Sequence, residues 1–304
     1  MHFNYLAYGI PVHSEMELPA LAPLSAKATP DPIFVVQGSV PDTLEFPAKV
    51  KKPFSVFNKD EFRFEMPDIA KYYVTRGKRI LIEPLCDDWP QILLYFYSNC
   101  LAAVLFQRNL IPFHVSGVFI QPGKVLLFAA PSRTGKSTTA LMLQQRGFLP
   151  FTDDTALINV EDTLVYSQAS SPMTRLWDTT FAKQSIYTES DKHFTFPDIQ
   201  KFGFLFPEKF ESNRVQLVGI VFLEANGMEI DIQPQTPVQA FSLLSKNIYR
   251  NQWVLGMEKD LLQFETLSKI ASVLPAWKAI RPKDAHSFDS FAEAIENKII
   301  AGLC

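Results

Sequence analysis

The chain has 304 residues, with 29 Lys and Arg against 32 Asp and Glu and a formal charge of −3. It therefore lacks the basic excess by which nucleic-acid-binding domains hold a phosphate backbone. Hydrophobic residues make up 47% and charged residues 20%, a globular rather than disordered composition, long enough for one large domain or two modest ones. Cys86, Cys100 and Cys304 have neither the even count nor the spacing of a disulfide framework or zinc ribbon. With no basic-then-apolar leader in Met1 to Tyr5, a reducing cytoplasm is the expected compartment.

The first 88 residues read as a β-rich lobe. Phe62, Phe64 and Met66 alternate with Arg63 and Glu65, the period of a strand with one buried face. Tyr72–Thr75 and Arg79–Ile82 flank Arg76-Gly77-Lys78 as a hairpin. Pro19, Pro23, Pro30, Pro32, Pro41 and Pro47 are expected to confine the earlier part to loops and short edge strands. Residues 89–304 read as a mixed α/β domain. From Pro90 to Asn109 the apolar residues fall at helical spacing. Pro90, Gln91, Ser98 and Asn99 make this stretch a buried helix rather than a membrane span.

Val115–Ile120 and Val125–Ala130 read as a hairpin around the four-residue turn Gln121-Pro122-Gly123-Lys124. Lys136 to Arg146 is helical and stops at Gly147. Later strands fit Ala156–Val160, Leu217–Leu223 and Met228–Ile232, the last two joined through Glu224-Ala225-Asn226-Gly227. Helices fit Pro237–Tyr249, Lys259–Ser272 and Ser287–Ile300.

The stretch from Val125 to Thr139 carries the chemistry. An apolar strand runs into Ala130-Pro131-Ser132-Arg133-Thr134-Gly135-Lys136-Ser137-Thr138 and opens a helix, the context a phosphate loop requires. Main-chain amides of Ser132, Arg133, Thr134, Gly135, Lys136, Ser137 and Thr138 are placed to cradle phosphate at a helix N-terminus. Lys136 can reach the β and γ phosphates, and the Ser137 hydroxyl can ligate Mg²⁺. Ala130 stands where the first glycine of the strict pattern belongs, which excludes most positive-φ geometry there. Asp153 and Asp154 follow a helix and a short run. A returning strand would bring them beside the phosphates, to hold Mg²⁺ or to take the proton of an attacking hydroxyl. His114 precedes the hairpin that feeds the loop. His2, His13, His193 and His286 show no ligand spacing.

His114, then Ser132-x-x-Gly135-Lys136-Ser137-Thr138-Thr139, then Gly147 and Asp153-Asp154 resemble the catalytic domain of HPr kinase/phosphorylase. They resemble still more the HPr-kinase-like proteins of lasso-peptide clusters, which phosphorylate a serine of a precursor peptide. Tyr8-Gly9-Ile10, Met173–Trp177, Asp191-Lys192 and Ile280–Asp284 fit that subgroup. The resemblance implies a domain related to phosphoenolpyruvate carboxykinase, and a cytoplasmic serine kinase using ATP and Mg²⁺ on a peptide or small protein, without nucleic acid or membrane. It implies Lys136 on phosphate, Ser137 and Asp153 on metal, Asp153 or Asp154 as base and His114 near the transferred group. Hexamers in the parent family imply a homo-oligomer. Arg175 and Lys192 are candidate substrate or phosphate contacts. Arg133 replaces a loop glycine, Thr138 replaces an acidic residue, and the glycine-rich signature of HPr kinase has no match. A nucleotide-binding regulator without transfer and a small-metabolite kinase are the competing readings.

Overall fold

The computed structural model describes residues 3–24, 31–177, 181–182, 186–196, 201–206, 210–211, 213–283 and 287–303. His2, Pro30, Asp284, His286 and Cys304, all noted in the sequence, lie outside them. The chain divides into two units, Met1–Pro112 with Tyr249–Phe264, and Phe113–Ile248 with Glu265–Cys304.

The first unit contains strands β1 (Phe3–Ala7), β2 (Ile10–Ser14), β3 (Ala22–Pro23), β4 (Ile33–Gln37), β5 (Val50–Lys52), β6 (Ser55–Phe57), β7 (Glu61–Met66), β8 (Ala70–Thr75) and β9 (Arg79–Pro84). They form one sheet in the order β3-β1-β2-β4-β9-β8-β7-β6-β5. The hairpin through Gly77 is present, Thr75 facing Arg79. The proline-rich start departs from expectation: β4 lies inside the sheet, parallel to both β2 and β9. Pro32 stands just before β4, where it removes no ladder donor.

Alternation buries Phe62, Phe64, Tyr72, Val74, Ile80 and Ile82. Helix α1 (Trp89–Gln107) is apolar and long enough to cross a membrane by composition, yet it is mostly buried. The Tyr72 hydroxyl donates to the Ile92 carbonyl at 2.8 Å, and the Phe64 and Tyr95 rings lie 5.7 Å apart. These contacts move the boundary expected at 88/89 to 112/113, inside the two-residue strand β10 (Pro112–Phe113). The segment from Tyr249 to Phe264 also belongs here, its Trp253 ring 4.6 Å from that of Phe62.

The second unit carries β11 (Val115–Gln121), β12 (Lys124–Ala129), α2 (Lys136–Gln145), β13 (Leu149–Thr152), β14 (Ala156–Glu161), β15 (Leu164–Ala169), β16 (Met173–Trp177), β17 (Lys192–Phe196), β18 (Lys201–Leu205), β19 (Val215–Gly227), β20 (Asp231–Pro234), α3 (Pro237–Lys246), β21 (Ala276–Pro282) and α5 (Ser287–Ile295). Between β20 and α5, helix α4 (Asp260–Val273) contains the second unit boundary. The main sheet runs β14-β15-β19-β12-β11-β13, with β21 pairing β19 and β20. It is mixed: β12, β19 and β21 are mutually parallel, while β11 and β13 run against their neighbours.

Two turns differ from the expectation. Gln121 pairs with Lys124, so the hairpin turn is only Pro122-Gly123, with Gly123 at φ 74°. Glu224 to Gly227 continue β19 instead of turning, and β20 pairs with β21. Helices α2 and α5 pack on the sheet through Ala140, Leu143, Phe291, Ala292 and Ile295, against Val118, Leu126, Phe128 and Val221. Strands β16, β18 and β17 form a separate antiparallel sheet.

In the first unit, Glu61 anchors the loop before β5. Its carboxylate accepts from the amides of Glu45 at 2.8 Å and Phe46 at 2.9 Å, from Asn58 at 2.9 Å, and from the Tyr73 hydroxyl. Burial pushes this carboxyl up, but the hydrogen bonds outweigh it and hold the group below its ordinary 4.5. A lowered folded pKa stabilises above the unfolded value, and the contribution disappears as pH falls through that value towards the folded one. Glu61→Gln is expected to cost about 1–3 kcal/mol at pH 7. It should also flatten the loss of stability below about pH 4.5, as read by denaturation of wild type and variant across pH 3–7.

Candidate active site

The parallel trio β12, β19 and β21 places three carboxyl ends on one edge of the second unit's sheet, where open α/β sheets bind ligands. From β12 the chain passes through Ala130–Gly135 into α2. Gly135 is the N-cap of that helix at φ 109°, and Arg133 is also left-handed at φ 66°. Ala130 is buried and keeps a negative φ, so the missing first glycine introduces no strain there. A Cβ on Gly135 would come within 2.6 Å of Phe288 Cε1, which makes glycine obligatory on two counts.

Lys136 is 6% exposed and donates from Nζ to the Ala130 carbonyl at 2.8 Å, folding its ammonium over the loop. The Ser137 hydroxyl donates to Asp153 Oδ1 at 2.8 Å, and Ser116 to the same oxygen at 2.5 Å. Asp153 Oδ2 accepts the amide of Arg175 at 2.8 Å. Strand β13 delivers Asp153 and Asp154 because it returns beside β11, Thr152 opposite Gly117.

Asp154 is left-handed at φ 82°, and its Oδ2 accepts from Arg175 Nη1 at 2.9 Å. His114 Nδ1 lies 2.9 Å from the Asp154 carbonyl and 3.8 Å from its Oδ1. A carbonyl oxygen only accepts, so Nδ1 carries the proton and Nε2 of the neutral ring is an acceptor. Burial first, then the positive charge of Lys136, lower the His114 pKa from 6.5; the Asp154 carboxylate and carbonyl oppose them.

These groups surround a cleft of about 460 Å³, lined by His114, Ser132, Arg133, Gly135, Lys136, Ser137, Thr138, Asp153, Asp154, Arg175, Trp177, Arg281 and Phe288. Arg133 is one of the lining side chains, its guanidinium 5.2 Å from the ring centroid of Trp177, another of them. Thr134 belongs to the loop but contributes its carbonyl to Arg281. Lys192 is not among the lining side chains: it pairs with Glu189 at 2.7 Å and lies over the Phe181 ring. Its expected substrate contact is therefore not supported by position. The Ser137 hydroxyl and Asp153 carboxylate are hard oxygen donors on one point, the set Mg²⁺ takes when phosphates and water supply its other ligands. Among the described residues, no three or more His, Cys, Asp or Glu gather into an all-protein metal cage.

Ser116, Trp177, Arg281 and Phe288 were not predicted as site residues. Ser116 sits two residues past His114, and Trp177 shares the cleft-facing side of β16 with Arg175, two residues apart, so strand period alone could have found both. Arg281 and Phe288 arrive through β21 and α5, with no motif spacing to the loop.

No family model matches the chain, and neither does any curated protein. Among solved structures, the HPr(Ser) kinase/phosphatase from Coxiella burnetii is similar at 11% identity and a TM-score of 0.32, covering 63% of this chain and 97% of that one.

His114 is expected to titrate below 6.5 in an NMR pH series, remaining neutral at pH 7. Lys136→Met removes the second cause of that depression, so the midpoint should rise in the variant; an unchanged or lower midpoint contradicts the electrostatic link.

Proposed function

We propose that this protein is an ATP- and Mg²⁺-dependent phosphotransferase that moves a γ-phosphoryl group to a hydroxyl, with a serine of a peptide or small protein as acceptor. The observation that carries the reading is the Ser137–Asp153 hydrogen bond at the start of the loop helix. It brings together, 16 residues apart in sequence, the hydroxyl and carboxylate that a nucleotide-bound Mg²⁺ requires. The acceptor class, including a lasso precursor peptide, comes from the sequence resemblance alone.

Bound Mg²⁺ would neutralise charge on the β and γ phosphate oxygens. Lys136, now on the Ala130 carbonyl, would swing from that oxygen to a phosphate to add its charge. Loop amides at the start of α2 would face the same anion, while that of Thr134 donates to the Pro131 carbonyl. Asp153 holds Ser137, Ser116 and the Arg175 amide and is assigned to the metal, and Asp154, ion-paired with Arg175, is assigned to take the acceptor proton as the serine oxygen bonds to phosphorus and ADP departs. Arg175 orients the Asp154 carboxylate, and neutral His114 offers Nε2 to accept from the acceptor hydroxyl.

The competing reading of a nucleotide-binding regulator rested on Ala130 and Arg133. Ala130 is unstrained and Arg133 is held on Trp177, so neither position argues against transfer. In a mass-spectrometric transfer assay with serine-bearing peptides, Asp154→Asn should lower the rate at least ~100-fold, the scale of a general base, while MgATP affinity by calorimetry stays within about threefold. Asp153→Asn should instead abolish the Mg²⁺ dependence of nucleotide binding. Transfer at the wild-type rate in both variants would remove the proposed roles.

A further inference from the structure

Arg281 is a buried guanidinium, 5% exposed, in the last part of β21 at the wall of the cleft. Nη1 donates to the Pro282 carbonyl at 2.7 Å and to the Ser287 hydroxyl at 3.3 Å; Nη2 donates to the Thr134 carbonyl at 3.2 Å. The guanidinium carbon lies 3.8 Å from the centroid of the Phe288 ring, a close cation–π stack. The same ring abuts the α-carbon of Gly135 so tightly that no Cβ fits between them. Ser287 closes the arrangement by donating to Pro282 O at 3.1 Å.

The position of this clamp matters because a trans peptide is planar, with its C=O and N–H pointing in opposite directions. Holding the Thr134 oxygen therefore fixes where the Gly135 amide points. We propose that Arg281, stacked on Phe288, is a positioning residue for the phosphate loop. It pins the Thr134–Gly135 peptide so that the Gly135 amide stays aimed at the bound polyphosphate before any ligand arrives. The role of the amide rests on the phosphotransferase reading; the clamp itself does not.

Two measurements separate these layers. In ligand-free protein, Arg281→Met should speed amide hydrogen exchange of the 132–138 segment about tenfold, the scale of one lost charge-assisted hydrogen bond. Exchange in the sheet strands should be unchanged. Arg281→Lys, which keeps one donor and the charge, should recover part of the protection. Should Arg281→Met not fold, Phe288→Leu takes its place and should loosen the same segment alone. Wild-type exchange in the folded variants overturns the clamp whatever the protein binds. With MgATP, the variants should lose about tenfold in affinity while the response of binding to Mg²⁺ is retained, which general destabilisation of the unit would not leave intact. Normal affinity with a loosened loop overturns the aiming of the amide. Failure of wild type to bind MgATP, with the exchange difference present, sinks the phosphotransferase reading and leaves the clamp standing.

Discussion

The Asp153 carboxylate is the constraint on which the site depends. Two hydroxyls and one amide converge on it from three separate elements: Ser116 on β11, Ser137 on α2 and Arg175 on β16. At 5% exposure, a carboxylate in this place requires such donors, because an unpaired buried charge is costly. Satisfying it fixes the distance between the loop helix and the returning strand. The bonds that bring Ser137 to Asp153 are thus also bonds that set the registry of the fold.

That convergence follows from the sheet. Strand β12 leads into the loop, β13 returns along β11 on the far side, and β21 is added beside β19. With β12, β19 and β21 parallel, chain segments about 150 residues apart deliver Lys136 and Arg281 to the same edge. The apolar faces of α2 and α5 lock this edge from behind through Ala140, Leu143, Phe291 and Ile295. Terminal-helix packing therefore reaches the loop through Phe288, the first-turn neighbour of those core residues.

Much of this was legible where the signal is local. The period of Phe62 to Met66, the strand–loop–helix context of Gly135-Lys136-Ser137 and the stop at Gly147 each depend on neighbours within one turn or one strand. Asp153 and Asp154 were reachable because a helix and a short strand have predictable lengths. What was not legible is pairing between distant segments. Nothing in Ile33–Gln37 says that it lies between two parallel neighbours, and nothing in Ile280-Arg281-Pro282 announces a partner in Thr134. Lys192, a cation in a suggestive dipeptide, pairs locally with Glu189. Glu224 to Gly227 looks like a turn by composition, yet pairing with β21 holds it in the strand, Gly227 facing Pro282. Long-range sheet contacts override turn propensity there.

The loop without its leading glycine makes its left-handed turns at other residues. A phosphate cradle needs main-chain amides turned inward, and this requires positive φ somewhere in the loop, not at one fixed residue. Here the left-handed positions are Arg133 and Gly135, while Ala130 stays in an ordinary conformation and offers its carbonyl to Lys136. Left-handed geometry costs a non-glycine residue of order 1 kcal/mol. The stack of Arg133 on Trp177 offsets a cost of that size. The arginine is thereby accounted for by the strain it bears: its backbone turns the loop, and its side chain stacks on Trp177, which lines the cleft with it.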